Sequence, residues 1–473
     1  MIHGTVATVS DPHEIGNVLG RRGVEYMIEN GEKVPFKFSF GAPSCVPATR
    51  FETAGAEIGL KDVETLLGRE EIRYLSEMMN FPGVLNKDPA VMAKIQLAKK
   101  HGKMIDGHAP GLRGKDLERY IAAGISTDHE TLTREEALEK IRLGMKILIR
   151  EGSAARSFEY LGGLIQEYPN QVMLCSDDAH PHDLAQGHIN EVVKRAFAQG
   201  LDKMKVLRAA CVTPVKHYGL DVGLLQPGDP ADFIVVDSLE NLRVLQTWIN
   251  GQLVAENGRA LFPRVRARRL NNFQAGKKKP ADFAVPVRGQ RMTVIEALDG
   301  QLVTNKLEVI PKTVAGKAIS DTDRDILKLA VVNRYKEAAP AMAFAKNFGL
   351  QKGALASSVG HDSHNIIAVG VTDEDLCEAV NLVIEHKGGL AIVSDQVREI
   401  LPLPVAGIMA ARDGASVAHQ YAKLDRLAKS LGSKLRAPFM TLSFMSLLVI
   451  PTVKLSDQGL FDTEMNSFIN LFG

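Results

Sequence analysis

His108 closes the apolar run Met104-Ile-Asp-Gly, and His129 closes the run Gly124-Ile-Ser-Thr-Asp, 21 residues further on. That spacing is about one strand and one helix of a parallel α/β unit. In a barrel of parallel strands, the residue at a strand's C-terminal end faces the site that the following loops enclose. Two successive strands each offering an imidazole there have the geometry of a divalent metal site in a hydrolase. Either histidine alone reads equally well as an ordinary strand-end residue; the pair, with carboxylates at matching positions, favours metal. Glu77 ends Tyr74-Leu-Ser-Glu, where a carboxylate can bridge two cations about 3.5–4 Å apart. Asp177 ends Met173-Leu-Cys-Ser-Asp and can take a proton from water and pass it to a leaving amine. Its neighbour Asp178 points the opposite way on an extended strand, so only one of the two is a ligand, and Asp177 is favoured. Glu130, next to His129, is placed as the hydrogen-bond partner that metal-bound imidazoles have.

Strands must carry these residues. From residue 4 to about 215, short β-rich runs alternate with helical segments, the pattern of a parallel α/β fold. The runs are Gly4–Ser10, Pro35–Phe40, Arg73–Met78, Lys103–Gly107, Gly124–Asp128, Lys146–Arg150 and Val172–Cys175. There are seven, whereas a closed (β/α)₈ barrel needs eight. The unit after the last run looks complete, so the deficit falls at the front. Residues 1–218 are therefore expected to form a (β/α)-type hydrolase barrel without its first strand.

Beyond it, Gly223–Asp237, the run Val244–Ile249, the turn Asn250-Gly251 and Gln252–Ala255 indicate a hairpin and a small β-sandwich-like segment. Together with the basic, turn-rich stretch 262–290, read as a linker or surface loop, they make a segment 219–290. Residues 291–473 are expected to form a separate α+β domain. His180 and His182, with Pro181 between them, read as loop residues beyond the last barrel strand.

Composition excludes several classes of partner. The 473 residues are 45% hydrophobic and 24% charged, enough for a full core. A net charge of +1 exerts no long-range pull toward nucleic acid or membrane. The four cysteines, Cys45, Cys175, Cys211 and Cys377, are far apart and form no C-x-x-C pair, which suggests a reducing compartment. No secretory signal is legible at the start, and no window approaches the ~20 apolar residues of a membrane helix. A cytoplasmic location is expected. The His-x-Glu and Pro-Cys-x-x-Cys signature of zinc cytidine deaminases is absent.

Longer motifs add a resemblance. Ser10-Asp-Pro-His-Glu-Ile-Gly-Asn-Val-Leu19, Pro43-Ser-Cys-Val-Pro-Ala48, Glu77-Met-Met-Asn-Phe-Pro-Gly-Val84 and Asp106-Gly-His-Ala-Pro-Gly111 resemble the adenine deaminase family of the amidohydrolase superfamily. So do Ile149-Arg-Glu-Gly-Ser-Ala-Ala-Arg156, Cys175-Ser-Asp-Asp178, Gly187-His-Ile189, Ser358-Val-Gly-His-Asp-Ser-His-Asn-Ile366 and Pro438-Phe-Met-Thr-Leu-Ser-Phe444. The resemblance runs from about residue 4 to about residue 462. It implies a binuclear site holding Mn²⁺ or Fe²⁺, where activated water attacks C6 of adenine to give hypoxanthine and ammonia, a step of purine salvage. It also implies Glu77, His108, His129 and Asp177 as ligands, with Asp177 moving the proton and Asp106, Glu130 and Asp178 behind them. Glu151 and Ser153 would lie beside the substrate, with His361 and His364 closing over it. A homodimer is implied by the family alone.

One departure bears on function. The superfamily's first barrel strand ends in His-x-His, two ligands of the metal centre, and this sequence has no such strand. The expectation is that the true start lies upstream of the Met1 given, and that the chain as written binds metal weakly and deaminates poorly. The alternatives are a truncated, weakly active or non-catalytic homologue, and another cyclic-amide or amidine hydrolase.

Overall fold

A computed structural model describes residues 1–473. All seven expected runs form strands: β1 (Ala7–Ser10), β2 (Lys37–Ala42), β3 (Ile72–Met78), β4 (Met104–Gly107), β5 (Thr127–Asp128), β6 (Lys146–Arg150) and β7 (Val172–Cys175). They pair in parallel as two sheets, β1-β2-β3-β4 and β5-β6-β7, with helices between successive strands. The Ser126 amide donates to the Ile105 carbonyl (2.9 Å), carrying the curve from the first sheet to the second. β1 and β7 face each other unpaired, and His188 spans the seam, within 2.8 Å of Thr5 Oγ1 and 3.1 Å of Ser176 Oγ.

Strand alternation sorts the side chains. On β6, Ile147 and Ile149 pack outward among the helices, while Leu148 and Arg150 line a central cavity of about 1420 Å³. On β4, Ile105 packs outward, and Asp106, with His108 just beyond the strand, lines the cavity. Gly107 must be glycine: a Cβ there would lie 2.3 Å from the Thr127 carbonyl oxygen.

The segment 219–290 differs in part from expectation. Phe233–Val236, Val244–Ile249, Gln252–Glu256 and Arg259–Ala260 form one four-stranded antiparallel sheet, a single layer rather than a sandwich. Its hairpin turns at Asn250 (φ 49°) and Gly251 (φ 74°), the paired positive angles of a type I′ turn. The basic stretch is a strap tied to both neighbours rather than a free linker. Asn272 Nδ2 donates to the Val18 and Gly55 carbonyls, and Phe283 is fully buried against the C-terminal sheet.

That C-terminal sheet has eight strands. Its central strand Ile326–Val332 pairs with Ala341–Lys346 on one side and Ile366–Gly370 on the other. One face buries Leu327, Leu329 and Val331 with Tyr421 and Leu424 of helix Gly414–Ser430. The other face is lined by Ala330, Ala354, Ala356 and Ala368, small residues that let helix Asp373–Glu385 approach closely. The apolar stretch after Pro438 is a short helix and turn, Pro438–Ser446, buried between this module and the barrel. No helix is long and apolar enough to cross a membrane.

Candidate active site

The strand ends converge on Glu77. Its Oε2 is 2.8 Å from His108 Nδ1 and 3.1 Å from His129 Nε2, and its Oε1 is 3.5 Å from His13 Nδ1. Strict alternation with Tyr74 would turn Glu77 outward. A register shift corrects this: Leu75 pairs with Ile105 but Met78 with Gly107, so β3 carries one extra residue. Such a bulge re-aims the side chain that follows it. Burial works against a charged Glu77, yet His129 and His108 override it and hold the carboxylate well below its usual range. Burial likewise disfavours a charged His129, but Glu77, then Asp177 and Glu130, push it up to about 10.

Asp177 Oδ2 lies 3.5 Å from His129 Nε2 and forms an ion pair with Arg150 Nη1 at 2.8 Å. The same guanidinium binds Glu130 through Nη1 and Asp178 through Nη2 at 3.2 Å. Arg150 thus orients three carboxylates around one wall of the cavity. Burial, then Asp177, raises Asp178 to about 7. Asp106 accepts from Thr127 Oγ1 (2.8 Å) and Tyr218 OH (2.9 Å), and burial raises it to about 7.

Behind the histidines lies a charged buttress. Lys140, fully buried on helix Arg134–Arg142, binds Asp128 Oδ2 (2.9 Å), Glu136 Oε1 (2.6 Å) and the Ala109 carbonyl (2.9 Å). Asp128 Oδ1 in turn accepts from the Ala109 amide (2.8 Å). The backbone after His108 and the residue before His129 are therefore tied to one ammonium.

The C-terminal module caps the cavity with the loop His361–His364. Glu14 Oε1 lies 2.8 Å from His361 Nδ1, and Glu14 Oε2 contacts His364 Nε2. The His361 ring stacks on Phe444 with centroids 4.5 Å apart. Burial opposes a charged Glu14, but His361, His364 and His13 hold it well below its usual range.

The structure thus gathers Glu77, His108, His129, Asp177, Asp106, Glu130, Asp178 and His361 around one cavity, with His364 behind Glu14. Glu151 and Ser153, expected beside the substrate, turn away from it. Glu151 pairs with Arg195 and accepts from the Phe158 amide, while Ser153 Oγ donates to Asp183. His180 and His182 are not free loop residues: they cap and open the short helix Pro181–Gln186, and both rings pack on Tyr421. Sequence reasoning gave no role to Asp11, His13, Glu14 or Arg150. Their signal was their position: Asp11-Pro-His-Glu14 directly follows the first β-run, and Arg150 ends the sixth.

Two donor groups share Glu77, one with His108 and His129 and one with Asp11 and His13, their donor atoms within 4.8 Å of one another. His108 Nε2 is buried with no hydrogen-bond partner, a state that ligation would relieve, while His13 Nδ1 and Asp11 Oδ2 are buried facing each other at 3.0 Å. Imidazole and carboxylate without thiolate suit manganese, iron or zinc. The residues fit a divalent cation.

Parallel strands delivering imidazoles and carboxylates to one end define a metal-dependent hydrolase of the amidohydrolase class, and residues 1–254 match the model of the Amidohydrolase family. Residues 301–467 match the Adenine deaminase C-terminal domain. Over 99% of its length the chain is 56% identical to the adenine deaminase of Salinibacter ruber and 53% identical to that of Methanosarcina mazei. It covers 86% and 87% of those proteins. The chain belongs to the adenine deaminase family. Among solved structures it is similar to a β-aspartyl dipeptidase of Fervidobacterium islandicum, with 14% identity and a TM-score of 0.43. That likeness covers 56% of this chain and 76% of the other.

Proposed function

We propose that this protein hydrolyses adenine to hypoxanthine and ammonia, with Glu77, His108, His129 and Asp177 holding one Mn²⁺ or Fe²⁺ and Asp11, His13 and Glu77 placed for a second. The observation that carries the reading is Glu77 at the meeting point of three imidazoles, with Asp177 beside them under Arg150. Bound there, the cation supplies Lewis acidity that brings the pKa of a water molecule toward neutrality.

Asp177 then takes the water's proton on a carboxylate oxygen and delivers it to the amine leaving C6, one group serving both transfers. Arg150 keeps that carboxylate aimed at the reacting centre through the 2.8 Å ion pair with Oδ2. His361, backed by Phe444, offers a flat face over the cavity against which a purine can stack. Glu14 fixes the ring's orientation. Closure by this loop excludes bulk water and strengthens every polar contact beneath it.

The test is adenine loss followed by ultraviolet absorbance, with ammonia release measured in parallel, on the protein loaded with Mn²⁺. Conversion to hypoxanthine is expected; no conversion under full metal occupancy overturns the reading. Chelation should abolish turnover and added Mn²⁺ restore it. Asp177→Asn should lower kcat by about 10²–10⁴-fold with a smaller change in KM.

A further inference from the structure

We propose that Tyr421 and His180 form a latch by which the C-terminal module positions the strand end carrying Asp177 and Asp178; the proposal rests on the reading of Asp177 as proton carrier.

The segment leaving β7 needs holding. Asp177 itself sits at φ 53°, a left-handed conformation that a non-glycine residue adopts at a cost. A strained backbone persists only where its surroundings fix it. On the barrel side, the Ser153 amide donates to the Asp178 carbonyl (2.9 Å) and the His180 amide donates to Ser153 Oγ (2.8 Å). This explains why Ser153 faces away from the cavity: it ties two strand ends together.

On the other side stands Tyr421, on helix Gly414–Ser430 of the C-terminal module. Its hydroxyl is 2.8 Å from His180 Nε2. Its ring packs on both neighbouring histidines, with centroids 4.3 Å from His180 and 5.1 Å from His182. Tyr421 is 2% exposed and His180 8%.

The chemistry of the pair separates positioning from packing. Tyr421 belongs to the largest apolar cluster of the C-terminal module, where a phenylalanine ring would fill the same space. Burying the hydroxyl costs free energy that only a partner can offset, and His180 is that partner. The polar bond therefore adds little net stability but selects one placement of the helix Pro181–Gln186, and with it the turn holding Asp177. Burial lowers the His180 imidazole to about 3, so the ring stays neutral and the latch does not open across ordinary pH.

The decisive variant is Tyr421→Phe, which keeps the ring stack and removes the bond. Leu424→Ala, one turn on in the same cluster, keeps the Tyr421–His180 bond and serves as a packing control. For Tyr421→Phe a Tm loss smaller than that of Leu424→Ala is expected, with kcat down about tenfold, a smaller change in KM, and Mn²⁺ affinity down about tenfold by titration of the apoprotein. For Leu424→Ala a lower Tm is expected with kcat per metal-loaded chain unchanged. In a His180→Ala background, Tyr421→Phe should cost nothing further. Wild-type kcat and Mn²⁺ affinity in Tyr421→Phe overturn the latch, as does a kcat loss in Leu424→Ala equal to that of Tyr421→Phe. If the wild-type protein does not deaminate adenine, the activity reading fails by itself. The Mn²⁺ titration still decides the latch: a tenfold weakening upholds it and an unchanged affinity overturns it.

Discussion

Glu77 faces three imidazoles within 3.5 Å, so its charge is the one around which the others are arranged. Glu52, beside the loop His361–His364, shows the opposite behaviour. It is buried near Asp362 and Asp457, and burial followed by the Asp362 charge raises it from 4.5 to about 8. A carboxyl whose folded value is raised contributes stability below its unfolded value and loses it as pH rises through the folded value. The wild-type Tm should therefore decline between about pH 4.5 and pH 8. Glu52→Gln should flatten that decline, raising Tm at pH 8 and leaving it nearly unchanged at pH 4.5. Calorimetry of the two proteins across this range checks the sign; equal slopes would show that Glu52 is ionised in the fold.

Between elements, the Lys140 ammonium is the critical support. It satisfies Asp128, Glu136 and the Ala109 carbonyl, and thereby joins the ends of β4 and β5 to helix Arg134–Arg142. A buried pair of this kind adds little to stability while intact, but removing one partner strands the other charges. Lys140→Met should cost about 3–5 kcal/mol in denaturant unfolding. It should also weaken metal retention, because His108 and His129 flank the loosened backbone. A variant with wild-type stability would mean that water or rearrangement satisfies Asp128.

Across the whole molecule, neither large unit completes the cavity alone. Ala154 and Ala155 of the barrel meet Leu302, Met440, Phe444 and Leu447 of the C-terminal module in one apolar cluster. The loop His361–His364 enters the site from that contact. Leu447→Ala should cost about 2–5 kcal/mol by opening a cavity there. Because His361 and Phe444 form the roof, it should also raise KM for adenine more than it lowers kcat. Steady-state kinetics at full metal loading reads that ratio, and a pure kcat effect would argue against a roof.

The sequence alone determined the seven strand runs, the parallel α/β class, and the strand-end placement of Glu77, His108, His129 and Asp177. It could do so because apolar periodicity and strand-end chemistry are local and survive in a one-dimensional string. The Asn250-Gly251 hairpin was legible for the same reason. Four things were decided only by the folded chain. The β3 bulge that turns Glu77 inward depends on its register against β4, which strand periodicity cannot reveal. Glu151 and Ser153 turned outward because Arg195 and Asp183, from two later helices, claimed them. Arg150 and Lys140 became organisers only once burial removed water as their alternative partner. His180 gained a role when Tyr421, 241 residues away, packed onto it. Each is a contact between groups distant in sequence, and a charge or hydroxyl reveals its partner only when tertiary packing has chosen one.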